Sequence, residues 1–368
     1  MKIVFVVRAI NKLGGTEKAT IDQANLLAEN SNHDIHIISM YKYVRPEETF
    51  YPYVSNLINI HFINKKLPLL KYGDISHRVL DVVSSYKVRK IIETISPDIC
   101  IFTAIRDFKK EYIGKYKNVL MVHFSYDEYL KGRFTRTLFN IYSSQFEKVV
   151  FLSPLDANDY KHKTGNTNGI YINNYCRISP YGKDFSKVNK RIIFVGRLDE
   201  KQKQLSHVVK IIDILSRDKV FEGWKLDVYG KGDAEIPLKN LVVNKKLNDF
   251  IKFKGISNNM NEVYDKYDIA ILTSNYEGLP LYLIEASLKG IPIVSYDCSP
   301  GISSIIVDTK TGFLIEKNNI EMFSDKLKYL IINHNTLKSM SLAAQAHAQK
   351  NFSKDAILEL WLRMLEKL

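Results

Sequence analysis

The chain has 368 residues, carries 53 Lys and Arg against 40 Asp and Glu for a formal net charge of +13, and is 45% hydrophobic. That length accommodates two domains with a core each, and that composition excludes disordered and fibrous classes. Cys100, Cys176 and Cys298 are too far apart for a metal-ligand spacing and suit a reducing compartment. No apolar run is long enough to span a bilayer and no signal-peptide pattern opens the chain, so a cytoplasmic protein is expected.

Residues 2–8, K-I-V-F-V-V-R, form a continuous apolar run of the kind buried on both faces of a parallel sheet. Gly14, Gly15 and Thr16 follow, ahead of a helical pattern through Ala19, Ala24, Leu26 and Leu27. Paired glycines at a helix start let the backbone approach a phosphate, whose charge the first N–H groups and the dipole favour, although such a pair is more often only a turn. Neither a dinucleotide fingerprint nor a Walker A loop is present. Residues 34–40 and 59–62 read as strands. Residues 71–95 read as an amphipathic helix with Val79, Leu80, Val83 and Ile91 on its apolar side, and 99–103 as a further strand, which continues a doubly wound alternation.

The segment 106–148 is rich in basic and aromatic residues, among them Lys109, Lys110, Lys115, Lys117, Arg133, Phe134 and Arg136. Such a surface suits an anionic membrane, and equally an ordinary solvated face whose rings are core; nucleic acid is not expected, since no recognition module is readable. The first 186 residues hold 26 Lys and Arg against 18 Asp and Glu, so the excess leans to this half. Within the segment 120–122 reads as a strand with His123 at its carboxyl end. Another strand is expected at 149–153, and 171–174 closes the first sheet.

Residues 178–190, rich in Ser, Pro, Gly and Lys, suggest a linker, drawn at 181–190 between a domain at 1–180 and another at 191–355. Residues 191–196 restart the strand pattern, with Arg197 and Lys203 after it at a spacing of six. Strands at 225–229 and 251–254 end in Gly230-Lys231-Gly232 and Gly255-Ile256-Ser257. The most informative stretch is 274–290, S-N-Y-E-G-L-P-L-Y-L-I-E-A-S-L-K-G, between apolar runs at 269–273 and 291–296. It reads as the loop and helix of a parallel β-α-β unit, with Pro280 in the first helical turn and Gly290 at the exit. Glu277 then stands in the loop at a strand's carboxyl end, where open α/β sheets bind ligands, and Glu285 lies half-buried beside the stripe of Leu281, Ile284 and Leu288. Taken alone, Glu277 could simply complement the helix dipole and Glu285 be solvated. Short strand pieces are expected at 305–308 and 312–315, and the tail is helical.

The E-G-L-P loop with E-x7-E, the upstream G-R-x5-K and the early glycine pair together resemble the retaining glycosyltransferases of family 4. The resemblance spans nearly the whole chain and is most specific at 268–294. It implies a GT-B fold, two Rossmann-like doubly wound parallel-sheet domains facing across a cleft, with residues 356–368 packing back on the first. It further implies a nucleotide-diphosphate sugar donor, a UDP-sugar, held by the second domain, and a glycan, lipid-linked or polymer acceptor held by the first. The product would belong to surface polysaccharide, lipopolysaccharide or teichoic-acid assembly, made on the inner face of the cell membrane.

By the same resemblance Arg197 and Lys203 hold the diphosphate, helped by Gly14 and Gly15, as the negative charge grows on the leaving group. Glu277 binds sugar hydroxyls, with Gly278, Leu279, Pro280 and Leu281 beside it. Glu285 binds the ribose, and Gly230, Gly255, Ile256 and Ser257 frame the base. His123 faces the donor sugar. Two departures stand out: Gln204 follows Lys203 where relatives commonly have Gly, and Asn173-Asn174 replaces an Asn-Pro or Asn-Gly pair. No Asp-x-Asp occurs, so neither a metal nor another cofactor is expected. A GT-B sugar-nucleotide epimerase and a non-catalytic nucleotide-sugar-binding scaffold remain as alternatives.

Overall fold

The computed structural model of the protein describes residues 1–11, 14–42, 53–64, 75–257 and 259–368. Its central strands are short and apolar because they are covered on both faces. In the first half they are β1 (Lys2–Val7), β2 (Asp34–Tyr41), β3 (Ile58–Asn64), β4 (Ile99–Phe102), β5 (Lys117–Met121), β6 (Lys148–Phe151) and β7 (Gly169–Tyr171). All pair in parallel in the order β3-β2-β1-β4-β5-β6-β7. The second half repeats the scheme with β8 (Arg191–Val195), β9 (Lys225–Tyr229), β10 (Ile251–Gly255), β11 (Ile269–Leu272), β12 (Ile293–Tyr296) and β13 (Gly312–Ile315), in the parallel order β10-β9-β8-β11-β12-β13. The expected pair of doubly wound parallel sheets is therefore present. Each sheet reverses its winding once, between β1 and β4 and between β8 and β11, and such a reversal opens a crevice at the carboxyl ends of the strands.

The chain falls into two compact units, Met1–Tyr175 with Lys354–Leu368, and Cys176–Ser353. In the first, one face of the sheet packs on the helix Gly15–Asn30 and on the last helix, Lys354–Glu366, whose Ile357, Trp361, Met364 and Leu365 enter the core around Phe5, Ile37 and Leu27. The Trp361 Nε1–H donates to Gln23 Oε1, and Gln23 Nε2 donates to the Asn173 carbonyl at 3.2 Å, so one buried amide ties the last helix to the segment after β7. The other face is covered by an aromatic cluster in which Phe102, Phe108, Tyr112, Phe139, Phe146 and Tyr160 are all buried.

In the second unit residues 178–190 run without helix or strand and are held at several points. Lys289, fully buried, donates to the Tyr181 carbonyl and to Asp265, both at 2.8 Å. Lys183 donates to the Gly290 carbonyl at 3.1 Å, and burial lowers its ammonium to about 8.

Five local expectations need correction, the first being the strand that closes the first sheet, which is Gly169–Tyr171 rather than 171–174. The helix of the first half is described over Ile75–Ile95, residues 71–74 lying outside the described residues, and it buries Ser84, Val88, Ile92 and Ile95 while Val83 is 42% exposed. The apolar stripe is thus set one residue on from the one read around Val83. Pro280 is the N-cap of the helix Leu281–Leu288 rather than part of its first turn, its φ of −69° and ψ of 116° being extended. That helix is buried all round, so Glu285 is buried with it rather than half-exposed. Residues 300–305 form a helix, which takes Ile305 out of the strand expected at 305–308.

Candidate functional site

The β8/β11 reversal of the second unit gathers most of the chemistry-bearing residues. After β8 the backbone passes Arg197 and enters a single helical turn, Glu200–Lys203, capped by the Asp199 side chain, which accepts from Gln202 N at 3.1 Å. The turn ends on Gln204 in the left-handed region at φ 46°. Lys203, at the end of the turn, donates through Nζ to Glu277 Oε1 at 2.5 Å, and the two side chains are only 12% and 7% exposed. The same carboxylate oxygen accepts from Ser274 Oγ at 2.6 Å. A buried charge needs this kind of paired and hydrogen-bonded setting.

Arg197 is of a different kind. Its side chain is 60% exposed, with Nη2 3.3 Å from Gln202 Oε1 and 3.6 Å from Asp199 Oδ2. Gln202 in turn donates to the Tyr276 carbonyl at 3.3 Å, so Arg197, Lys203 and Glu277 belong to one connected patch. An open depression of about 680 Å³ lies beside it, lined by Arg197, Asp199, Lys201, Gly232 and Asp233 among others, but not by Lys203 or Glu277.

Glu277 is followed by Gly278, buried Leu279, Pro280 and Leu281, where the helix Leu281–Leu288 begins without a side-chain cap. Helix starts of this kind favour negative charge close by. Gly301 packs against the loop so tightly that a Cβ there would lie 1.9 Å from the Gly278 carbonyl oxygen. Glu285 on the helix accepts from the Tyr264 hydroxyl at 2.7 Å. Burial and the Glu285 charge push that phenol well above its ordinary range, so it stays a donor. The Cys298 thiol, pushed up to about 12 by burial and by the Glu277 charge, is no nucleophile at neutral pH.

Gly230 and Gly255 end β9 and β10. Gly230 has φ 134° and a Cβ on it would meet the Gly196 carbonyl oxygen at 1.8 Å, so its identity is fixed by the close approach of two strand ends. Gly255 has φ 69°; Ile256 beyond it is 43% exposed, and Ser257 Oγ accepts from Asn259 N at 3.3 Å.

Gly14, Gly15 and His123 belong to the first unit. Gly14 is extended at φ −169° and lies just before the uncapped helix Gly15–Asn30; a Cβ on Gly15 would meet nothing within 4 Å, and one on Gly14 only the movable end of Glu17. The fold therefore does not demand glycine at either position. His123, two residues past β5, is 8% exposed, and burial lowers its imidazole to about 4, so it is neutral at physiological pH. Its Nε2 lies 3.4 Å from Thr20 Oγ1, and that hydroxyl gives its one hydrogen to the Thr16 carbonyl at 2.8 Å. The contact therefore places the imidazole hydrogen on Nε2 and leaves Nδ1 as an acceptor.

Sequence reasoning missed Ser274, Tyr264 and Gln202. Ser274 had a signal, since S-x-x-E is the spacing at which a hydroxyl and a carboxylate meet around one turn. Tyr264, 21 residues before Glu285, had none. Among the described residues no group of three or more His, Cys, Asp or Glu is arranged to hold a metal, and no helix is long and apolar enough to cross a membrane.

A family model described as glycosyl transferases group 1 matches residues 182–347. An uncharacterized glycosyltransferase of Haemophilus influenzae is 30% identical over 99% of this chain and 99% of its own length. The poly(ribitol-phosphate) alpha-N-acetylglucosaminyltransferase of Staphylococcus aureus is 24% identical over 86% of this chain and 65% of its own. Among solved structures, a mutant of S. aureus TarM in complex with Fondaparinux, alpha-GlcNAc-glycerol and UDP matches with a TM-score of 0.79 at 15% identity, covering 98% of this chain and 99% of the other. That likeness shows the fold as GT-B, and the full-length relative together with the family match establishes that the chain belongs to the glycosyl transferases group 1.

Proposed function

We propose that this transferase moves a hexose or N-acetylhexosamine from a UDP-sugar to a hydroxyl of a polymer or lipid-linked acceptor in bacterial surface polysaccharide, lipopolysaccharide or teichoic-acid assembly, with retention, as in family 4. The observation that carries the reading is the buried Lys203–Glu277 pair at the sheet reversal, with Arg197 in the same patch and an uncapped helix start behind it. Lys203 and Arg197 take the diphosphate, and their charge counts most as the bond to the sugar breaks. Glu277 and the backbone of 278–281 hold the sugar, Glu285 the ribose, and the 230 and 255–257 loops the base.

Within the first unit, Gly14-Gly15 leave a helix start approachable by a phosphate, and the neutral His123 keeps an acceptor nitrogen suited to a sugar hydroxyl. Glu277, already engaged by a lysine and a serine, is not assigned as base or nucleophile; the leaving phosphate takes the acceptor's proton. Two cations and the helix start do the work of a divalent ion, so activity should survive a chelator. The UDP in the TarM complex and the polyol-phosphate acceptor in the name of the S. aureus relative support the donor and acceptor classes. The same reading has the protein act in the cytoplasm with peripheral contact on anionic membrane, which the exposed Arg133, Phe134 and Arg136 of helix Arg133–Tyr142 support.

Thermal stabilisation by a panel of nucleotide-sugars, free nucleotides and nicotinamide cofactors, on wild type and Glu285→Ala, tests the reading. Selective stabilisation by one UDP-sugar, weakened in the variant, is expected, and the product's anomeric configuration by NMR then decides retention. Stabilisation by another ligand class alone overturns it.

A further inference from the structure

Lys203 and Glu277 sit 74 residues apart on two separate loops, so their 2.5 Å contact depends on how those loops are registered. The registration is local and complete. Asn275 Nδ2 donates to the Lys201 carbonyl at 2.9 Å and Asn275 N to the Gln202 carbonyl at 2.7 Å. Thr273 Oγ1 lies 2.9 Å from the Lys203 carbonyl and 3.2 Å from that of Gln204, sharing its one hydrogen between them. Four consecutive carbonyl oxygens of the lysine-bearing turn thus receive donors from two residues just past β11. Between those two, Ser274 turns the other way and donates to Glu277. One tripeptide therefore holds the backbone beneath the lysine with its outer residues and the partner carboxylate with its middle one.

We propose that Thr273 and Asn275 are positioning residues for the transfer reaction: they fix the lysine turn against the Glu277 loop so that cation and carboxylate face the donor in a set geometry. The proposal rests on the transferase reading for its kinetic consequence and on geometry alone for its structural one. A helical turn of four residues has too few internal hydrogen bonds to hold itself, and its last residue is a non-glycine in the left-handed region, so an external template is needed to keep it. Thr273 supplies this through a hydroxyl, which valine lacks at nearly the same volume and serine retains.

The test compares wild type with Thr273→Val, Thr273→Ser and Asn275→Ala, using the UDP-sugar that the stabilisation panel identifies. Thr273→Val should lower kcat about 10- to 100-fold, as misplacement of a catalytic group by a fraction of an ångström to an ångström does. The acceptor KM should stay near wild type, and Thr273→Ser should restore most of the rate. Asn275→Ala, which keeps its backbone donor, should lose less. A second readout needs no activity: brief acetylation followed by peptide mass spectrometry, with exposed Lys239 as internal standard. Lys203 should be labelled severalfold faster in Thr273→Val than in wild type.

Wild-type labelling of Lys203 in Thr273→Val overturns the proposal, as does faster labelling with unchanged kcat, which would make the contacts a tie between chain segments and nothing more. Failure of serine to restore the rate also overturns it. If wild type turns over no nucleotide-sugar, the transferase assignment of substrate fails instead, and the labelling alone decides the registration.

Discussion

At the reversal of the second sheet, between β8 and β11, the chain places formal charges out of water: Lys203 on Glu277, a serine on the same carboxylate, a buried tyrosine on Glu285. At the reversal of the first, between β1 and β4, the helix start at Gly14-Gly15 has no side-chain cap, and His123 after the neighbouring strand is held uncharged. The difference teaches what each edge must resist. A buried ion pair is worth having only while its geometry is enforced, so the second unit surrounds it with tethers. The first edge has one such pair, Arg8 Nη1 3.4 Å from the buried Asp107 Oδ1 across the ends of β1 and β4, but its helix start and His123 carry no formal charge and need no counter-charge.

The comparison breaks first at Glu277. Replacing it with Gln keeps the shape, removes the charge and leaves the Lys203 ammonium buried beside an amide. Turnover is expected to fall about 10²- to 10³-fold, the scale on which preorganised electrostatic groups act. Steady-state kinetics check it, and a loss below about tenfold would mean that the charge on this edge serves the fold more than the reaction.

On the first edge the largest effect is on stability against pH. The folded-state value of His123, about 4, lies below its unfolded value near 6.5, so between those values the unfolded chain binds the proton more strongly. Its contribution is fully present above about pH 6.5 and is lost as the pH falls towards 4, a change of roughly 3 kcal/mol by linkage. Denaturant titrations should show a shallower acid decline in His123→Asn. No step in turnover between about pH 6 and 8 should trace to this imidazole.

Tyr264→Phe sharpens the contrast inside the charged edge. It removes the donor behind Glu285 without changing the ring, and should cost about 1–3 kcal/mol because a buried carboxylate loses a hydrogen bond. Nucleotide binding should weaken while kcat changes little, the reverse of the pattern at Glu277. Isothermal titration with UDP and a thermal melt separate the two.

How much of this was legible follows from the range of the interactions. The sheets were readable because the central strands are apolar runs, and so were Glu277 and Glu285, because one helix and its loop carry both. The buried stripe of helix Ile75–Ile95 was misread around Val83, since the choice among adjacent apolar positions depends on the neighbouring sheet. Tyr264 on Glu285 and Gln23 on Trp361 were invisible, because a hydrogen bond between distant segments leaves no period or spacing in the chain. The Lys203–Glu277 contact falls between these cases: both residues could be picked out, but not the register between them.

Gln204 gives the smallest effect and the finest test of that register. Its left-handed backbone costs a side-chain-bearing residue about 1–2 kcal/mol, and glycine would escape this at an entropic cost of about 0.5–1 kcal/mol. Against that gain stands the Gln204 Nε2 donor to Asn318 Oδ1, 3.1 Å long and exposed, hence weak in net terms. Gln204→Gly should therefore raise stability by about 0.5 kcal/mol, seen as a small upward shift in the denaturation midpoint. The Asn318 bond is a second tether on the lysine turn, independent of Thr273, so if both matter the variant gains stability and still loses some kcat. If kcat holds while stability rises, the Thr273 and Asn275 tethers alone set the lysine.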